Sequence, residues 1–341
     1  MRIPKLLPAL FLSCAMPLFA GVNLKGAGST LPAPLFLQWM SEYQKDHPEL
    51  KLKYEVKNPT DAINQWMSRG CEFAVTDTPL TDVEERKIVG KPTLRLPVAI
   101  DAVVVTYNLP GVPSGIKLSP AVLSRIFMGT IKRWNNIEIT EPNPGISFPN
   151  MEIQVAHRGD ESSLHDLFPS CLAKWDSDWT LNREKEKNLH WSPGQNLKGN
   201  EKVMERLRKW PGTIAAVDYP YAISHHMPAA EVRNATGHYV APTADSLQAA
   251  ASDITYLPED CDVLLSRSRS PGAYPLSTFA WALLYRDLYR ATHDHAKGKA
   301  LVDFLGWVLA GGQKGAGDIS YVPLPENFRQ QLMEKVRGVK F

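Results

Sequence analysis

Hydrophobic positions along this chain alternate between two periods. Between Pro32 and Asp46, Leu35, Trp39 and Tyr43 recur every fourth residue. That is the spacing of one buried helix face, and a proline near the start is tolerated because the first N–H groups of a helix have no intrahelical acceptor. Leu94–Tyr107 instead holds the β-branched run Ala102-Val-Val-Val-Thr106, the pattern of a strand buried on both faces. The same reading predicts strands at Val22–Lys25, Leu52–Val56, Glu72–Thr76, Glu152–His157, Thr213–Val217 and Thr278–Tyr285. It predicts helices at Asp61–Ser68, from Ser162 to about Lys174, at Lys297–Ala310 and at Pro325–Val336. A glycine-rich turn, Gly26-Ala-Gly-Ser-Thr30, follows the first strand. Strands alternating with helices predict an α/β fold of mostly parallel sheets covered on both faces. Asn135–Asn150, rich in Pro, Asn and Gly, and the polar Asp176–Asn200 read as irregular surface.

The first 20 residues stand apart. Met1-Arg-Ile-Pro-Lys5 is basic, Leu6–Phe19 is almost wholly apolar, and Ala20 precedes Gly21. This is the pattern of a secretory signal peptide cleaved after Ala20. The apolar run is too short for a membrane span, and Phe11-Leu-Ser13 fits poorly with lipid modification of Cys14. Removing Arg2 and Lys5 takes lysine plus arginine from 38 to 36, equal to the 36 acids. A neutral chain without a basic stripe is not expected to bind nucleic acid. The 341 residues suffice for two domains. Cys71, Cys171 and Cys261 form no C-x-x-C pair, so neither a redox motif nor a zinc knuckle is expected. An exported chain permits a Cys171–Cys261 disulfide.

Anions bind beyond the carboxyl ends of strands, where helix N-termini offer unpaired N–H groups. Three strand-to-helix junctions carry suitable residues. Gly26-Ala-Gly-Ser-Thr30-Leu-Pro-Ala supplies two hydroxyls, but Leu31 stands where a dinucleotide fingerprint needs its third glycine. Val155-Ala-His-Arg158-Gly-Asp160-Glu-Ser162-Ser163 delivers an arginine, which can grip a tetrahedral oxyanion through two parallel hydrogen bonds, with Asp160 to fix the guanidinium. Phe73-Ala-Val-Thr76-Asp77 ends an apolar strand in an acid. A carboxylate repels anions unless the anion carries a proton to donate; monohydrogen phosphate does and sulfate does not. Taken singly, each junction is also how helices and turns are capped: Ser29 or Thr30 as a cap, Asp160 or Ser162 as a cap beside a surface arginine, Asp77 closing a turn. No Gly-x-Ser-x-Gly elbow, phosphate-cradling Gly-x4-Gly-Lys-Ser/Thr loop or His-Glu-x-x-His occurs, so neither an enzyme nor a cofactor is expected. His225-His226 and His293-Asp-His295 read as surface histidines.

At these residues the chain resembles the PstS-type phosphate-binding proteins of bacterial phosphate ABC importers. The resemblance extends through Gly129-Thr-Ile-Lys-Arg-Trp134, Asn143-Pro-Gly145, Lys198-Gly-Asn200, Pro211–Ile214, Asp218-Tyr-Pro-Tyr-Ala222 and Tyr274–Thr278. It implies a two-lobed periplasmic binding protein fold of type II, with the ligand between the lobes. Lobe I would hold residues 21–97 and 271–341, and lobe II residues 98–270. Thr30, the Leu31 backbone, Asp77, Arg158, Asp160 and Ser162 would meet inorganic phosphate. The partners implied are the membrane permease and ATPase subunits of the importer; the location is the periplasm and the working form a monomer. Two loops depart from the family pattern. Asn58-Pro59-Thr60-Asp61-Ala62 replaces Gly-Ser-Ser-Gly-Gly, leaving Thr60 to supply a hydroxyl. Glu161-Ser162-Ser163-Leu164-His165 replaces Gly-Ser-Gly-Thr-Ser, with Lys57, His157, Ser163 and His165 as the candidate compensating donors. Each lost hydrogen bond to a charged group costs on the order of 1.5–3 kcal/mol. The departures therefore also fit a divergent relative that takes another oxyanion or serves in sensing or adhesion.

Overall fold

A computed structural model describes residues 21–77, 80, 82–88, 92–159, 164, 168, 169, 171–173, 179, 194–259, 261 and 263–341. The first part runs β1 (Val22–Gly28), α1 (Ala33–Asp46), β2 (Leu50–Val56), α2 (Pro59–Met67), β3 (Phe73–Thr76), α3 (Asp82–Ile88) and β4 (Thr93–Tyr107). Next come β5 (Lys117–Leu118), α4 (Pro120–Phe127), α5 (Ile137–Thr140), β6 (Gln154–Arg158), β7 (Gln195–Leu197), α6 (Asn200–Lys209) and β8 (Thr213–Asp218). The chain closes with α7 (Tyr219–Ser224), β9 (Glu231–Arg233), β10 (Tyr239–Val240), α8 (Ala244–Ser252), β11 (Ser277–Tyr285), α9 (Leu288–Thr292), α10 (His295–Leu309) and α11 (Glu326–Arg337).

An eight-stranded sheet in the order β2-β1-β3-β11-β4-β8-β6-β7 organises the molecule, with β10-β9-β5 as a small second sheet. β1 pairs in parallel with β2 and β3, and β6 with β7 and β8; the central pairings of β4 and β11 are antiparallel. β4 is the spine. Its 15 residues span roughly 50 Å at about 3.3 Å each. Thr93–Ala102 pair with β11, whereas Val103–Tyr107 pair with β8. The switch of partner falls between Ala102 and Val103, so one strand belongs to two half-sheets. Every β4 residue from Leu96 onward is buried, which is why its sequence lacks alternation. Pro97 has no N–H to give, and the register with β11 shifts beside it, between Ala280 and Trp281.

The predicted stripe of α1 is buried as expected, with Phe36 and Met40 beside Leu35, Trp39 and Tyr43. Three expectations need correction. Gly26 and Gly28 belong to β1 rather than to a turn. A Cβ on Gly28 would sit 2.2 Å from the Tyr54 hydroxyl and 2.6 Å from the Val75 carbonyl oxygen, so this glycine permits close approach within the sheet. The N-cap of α1 is Pro32, without a side-chain cap, so neither Ser29 nor Thr30 caps it. Asn135–Asn150 is not all irregular surface. It contains α5, and buried Asn143 hydrogen-bonds the backbone of Lys117 and Ile139. Most of the helix expected from Ser162, and most of Asp176–Asn200, lie outside the described residues. Cys71, Cys171 and Cys261 are buried thiols. Among the described residues no helix is long and apolar enough to cross a membrane.

Candidate functional site

The first and third junctions meet. Ser29 follows β1 and is anchored by its N–H to the Val75 carbonyl at 3.2 Å. Its hydroxyl donates to Asp77 Oδ1 at 3.0 Å, and Asp77, just past β3, is 0% exposed. Thr278 of β11 donates its hydroxyl to the Asp77 carbonyl at 3.2 Å. Two tyrosines fix the turn that follows: Tyr54 donates to the Ser29 carbonyl at 3.3 Å, and Tyr321 to the Leu31 carbonyl. Leu31 is buried and Thr30 exposed. Thr60 lies exposed in the first turn of α2, which Asn58 caps by accepting from the Asp61 N–H at 2.7 Å. No described hydrogen bond ties Thr60 to Ser29 or Asp77.

The second junction is built around Arg158, which ends β6 and is 8% exposed. Asp160 lies outside the described residues, as do Ser162 and Ser163. The described acid beside the guanidinium is Asp218, at the end of β8, with Arg158 Nη1 3.9 Å from its Oδ2. Asn200, the first residue of α6, bridges them: its Nδ2 donates to Asp218 Oδ2 at 2.6 Å and its Oδ1 lies 3.4 Å from Arg158 Nη1. Gly159 follows the arginine because a Cβ there would overlap the Asn196 side chain at 0.8 Å. Leu164, which replaces a family hydroxyl, is buried.

Asp101 connects the two halves, and sequence reasoning assigned it no role. It stands on β4 just before the change of partner and is 2% exposed, as is Asp218. Its described hydrogen bond is from the Ala102 N–H to Oδ1 at 2.7 Å. Burial holds its carboxyl well above the usual carboxylate range, and the charges of Asp218 and then Asp77 add to that. Tyr321 is pushed up by burial and then by Asp101, Asp218 and Asp77, so one hydroxyl feels all three acids. Burial, followed by Asp77, likewise raises Tyr54. Ser29, Asp77 and Tyr54 from one half-sheet, and Arg158, Asn200 and Asp218 from the other, therefore share an electrostatic neighbourhood around Asp101 and Tyr321. The available signal for Asp101 was an acid beside the β-branched run Ala102–Thr106. Asp218 lay in a segment that carried the family resemblance, and Tyr321 gave no signal.

Comparison with known proteins accords with this arrangement. The profile of the PBP superfamily domain matches residues 20–310. The phosphate-binding protein PstS of Xylella fastidiosa is 31% identical over 314 residues, spanning 91% of this chain and 84% of that protein. The chain belongs to the PstS family. Another member, the phosphate-binding protein PstS of Methanocaldococcus jannaschii, is 31% identical and covers 94% of this chain and 87% of its own length. The PstS-family fold is reproduced in solved structures. An ABC-type phosphate transport receptor from Vibrio cholerae superposes with a TM-score of 0.62 at 17% identity, covering 89% of this chain and all of that one. The ancestral soluble variant of the human phosphate binding protein gives 0.68 at 16%, covering 92% and 93%. The two-lobed α/β fold expected from the sequence is thus the fold of this chain.

Proposed function

We propose that this protein captures inorganic phosphate between its lobes and delivers it to the permease and ATPase subunits of an ABC importer. The observation that carries the reading is the pairing, in a PstS-family chain, of a buried acid held by a neutral hydroxyl, Asp77 with Ser29, and a buried arginine, Arg158. The two do different work. Arg158 offers a fork of N–H donors to two oxygens of a tetrahedral anion. Asp77 accepts a hydrogen bond from the P–OH of monohydrogen phosphate, which fully ionised sulfate cannot offer, so sulfate meets repulsion instead. The Thr30 hydroxyl, the Leu31 N–H, Thr60, Ser162 and Ser163 complete the donor set, and Asp160 orients the arginine.

Residues 21–97 with 271–341, and 98–270, form the lobes of this reading. They bend about the strands that link them, β4 among these, and close on the ligand. The protein works as a periplasmic monomer, and the chemistry is binding rather than bond-making. A second reading, another oxyanion, is favoured by the buried Pro59 and Leu164, which stand where the family pattern has hydroxyls. Calorimetric titration with phosphate, sulfate and arsenate at neutral pH decides between them. Heat with phosphate and none with sulfate is expected; no heat with phosphate overturns the main reading.

A further inference from the structure

The register of β4 makes Asp101 more than a neighbour of the site. Asp101 pairs with Thr278 on β11, and Val103, two residues on, pairs with Asp218 on β8. Residues two apart on a strand share a face, as do direct cross-strand partners. Thr278, Asp101, Val103 and Asp218 therefore line one face at the point where the half-sheets join. Thr278 also binds the Asp77 carbonyl from this row. Asp101 is thus seated between the acid of one junction and the acid beside the arginine of the other.

Its surroundings are one-sided. Asp218 faces it from the end of β8, Asp77 from the turn after β3, Tyr219 from the start of α7, and Tyr321 from the segment before α11. Arg158 lies beyond, against Asp218. Among the described residues no cation pairs with Asp101, and its hydrogen-bond partner is the Ala102 N–H. A buried carboxylate without a counter-charge, close to two other acids, is strongly disfavoured, and the group keeps its proton.

We propose that Asp101 is a proton-bearing specificity residue of the binding site: as the neutral acid it tolerates an oxyanion beside Arg158, and as the carboxylate it opposes one. The proposal rests on the oxyanion reading above. Asp101 acts through charge, as a positioning residue, and need not touch the ligand. Oxyanion affinity should fall as pH rises through its ionisation, by up to about tenfold per pH unit for a single linked proton. The stability consequence has the same sign. In the unfolded chain the carboxyl ionises near pH 4 while the folded protein retains the proton, so folding stability is lost progressively as pH rises above about 4.

Asp101→Asn mimics the neutral acid at every pH and tests the proposal. Phosphate affinity of the purified protein and of the variant is measured calorimetrically from pH 6 to 9; the ratio of the two cancels the titration of phosphate itself. The expected result is a ratio that shifts progressively in favour of the variant as pH rises. A ratio independent of pH overturns the proposal. Thermal unfolding of both proteins in phosphate-free buffer is the second arm. The wild-type midpoint should fall progressively below that of the variant as pH rises; parallel midpoints, or a variant that fails to fold, would also overturn it. If neither protein gives heat with phosphate, the phosphate reading fails, and the unfolding arm still decides whether Asp101 holds its proton.

Discussion

The two half-sheets each end a strand in a buried aspartate, yet they settle it differently. Asp77 is met by the uncharged hydroxyl of Ser29 and, through its backbone, by Thr278. Asp218 is met by Arg158 and by the amide of Asn200. The same residue type at the same topological position thus serves as an acceptor in one half and as a counter-ion in the other. Strand ends supply the geometry, and the neighbouring side chain decides the chemistry. A ligand bridging the two would meet an acceptor on one side and a cation on the other, which suits an anion that still carries a proton.

Removing the cation should break the comparison most severely. Arg158→Ala removes the fork of donors proposed for the oxyanion and leaves Asp218 with less compensation, and phosphate affinity should fall roughly 10²–10⁴-fold by calorimetry. A loss under tenfold would mean that the arginine serves the fold rather than the ligand. Asp77→Asn should sharpen the contrast, because an amide can donate where the carboxylate only accepts. The preference for phosphate over sulfate should shrink by about tenfold or more in competition titrations; an unchanged preference would remove Asp77 from the role of hydrogen-bond acceptor for the protonated anion. The smallest effect belongs to Asn200→Ala, which deletes the bridge between Arg158 and Asp218 while leaving both charges. Urea unfolding should report a loss of about 1–2 kcal/mol, with phosphate affinity reduced by less than in either other variant.

How much of this was legible beforehand depends on the distance over which information had to travel. The stripe of α1 and the β-branched run of β4 are local patterns, and both translate directly into buried surfaces. Asp77 and Arg158 were legible because an acid or an arginine closing an apolar strand is a local anomaly. The role of Gly26 and Gly28 was misread: a glycine near a strand end suggests a turn, and only the approach of Phe73 and Tyr54 shows why β1 continues through them. The contact between Asp218 and Arg158, and the seat of Asp101 between two acids, depend on sheet register between residues far apart in the chain. Tyr321 reaches Leu31 across 290 positions, which no periodicity encodes.

The order of the strands also dictates an order of assembly. β11 lies between β3 and β4, and it comes from residues 277–285. Until that segment is present, β3 and β4 cannot complete their edges, and the apolar row of β4 opposite β11 lacks its partner. The first sheet is therefore finished by the last strand of the chain, across nearly 200 intervening residues. Contacts of such sequence separation are slow to form, and unpaired apolar edges invite association with other chains. A fragment ending before Ser277 would keep Asp77 and Arg158 in its sequence yet lack the strand that locks them into one body.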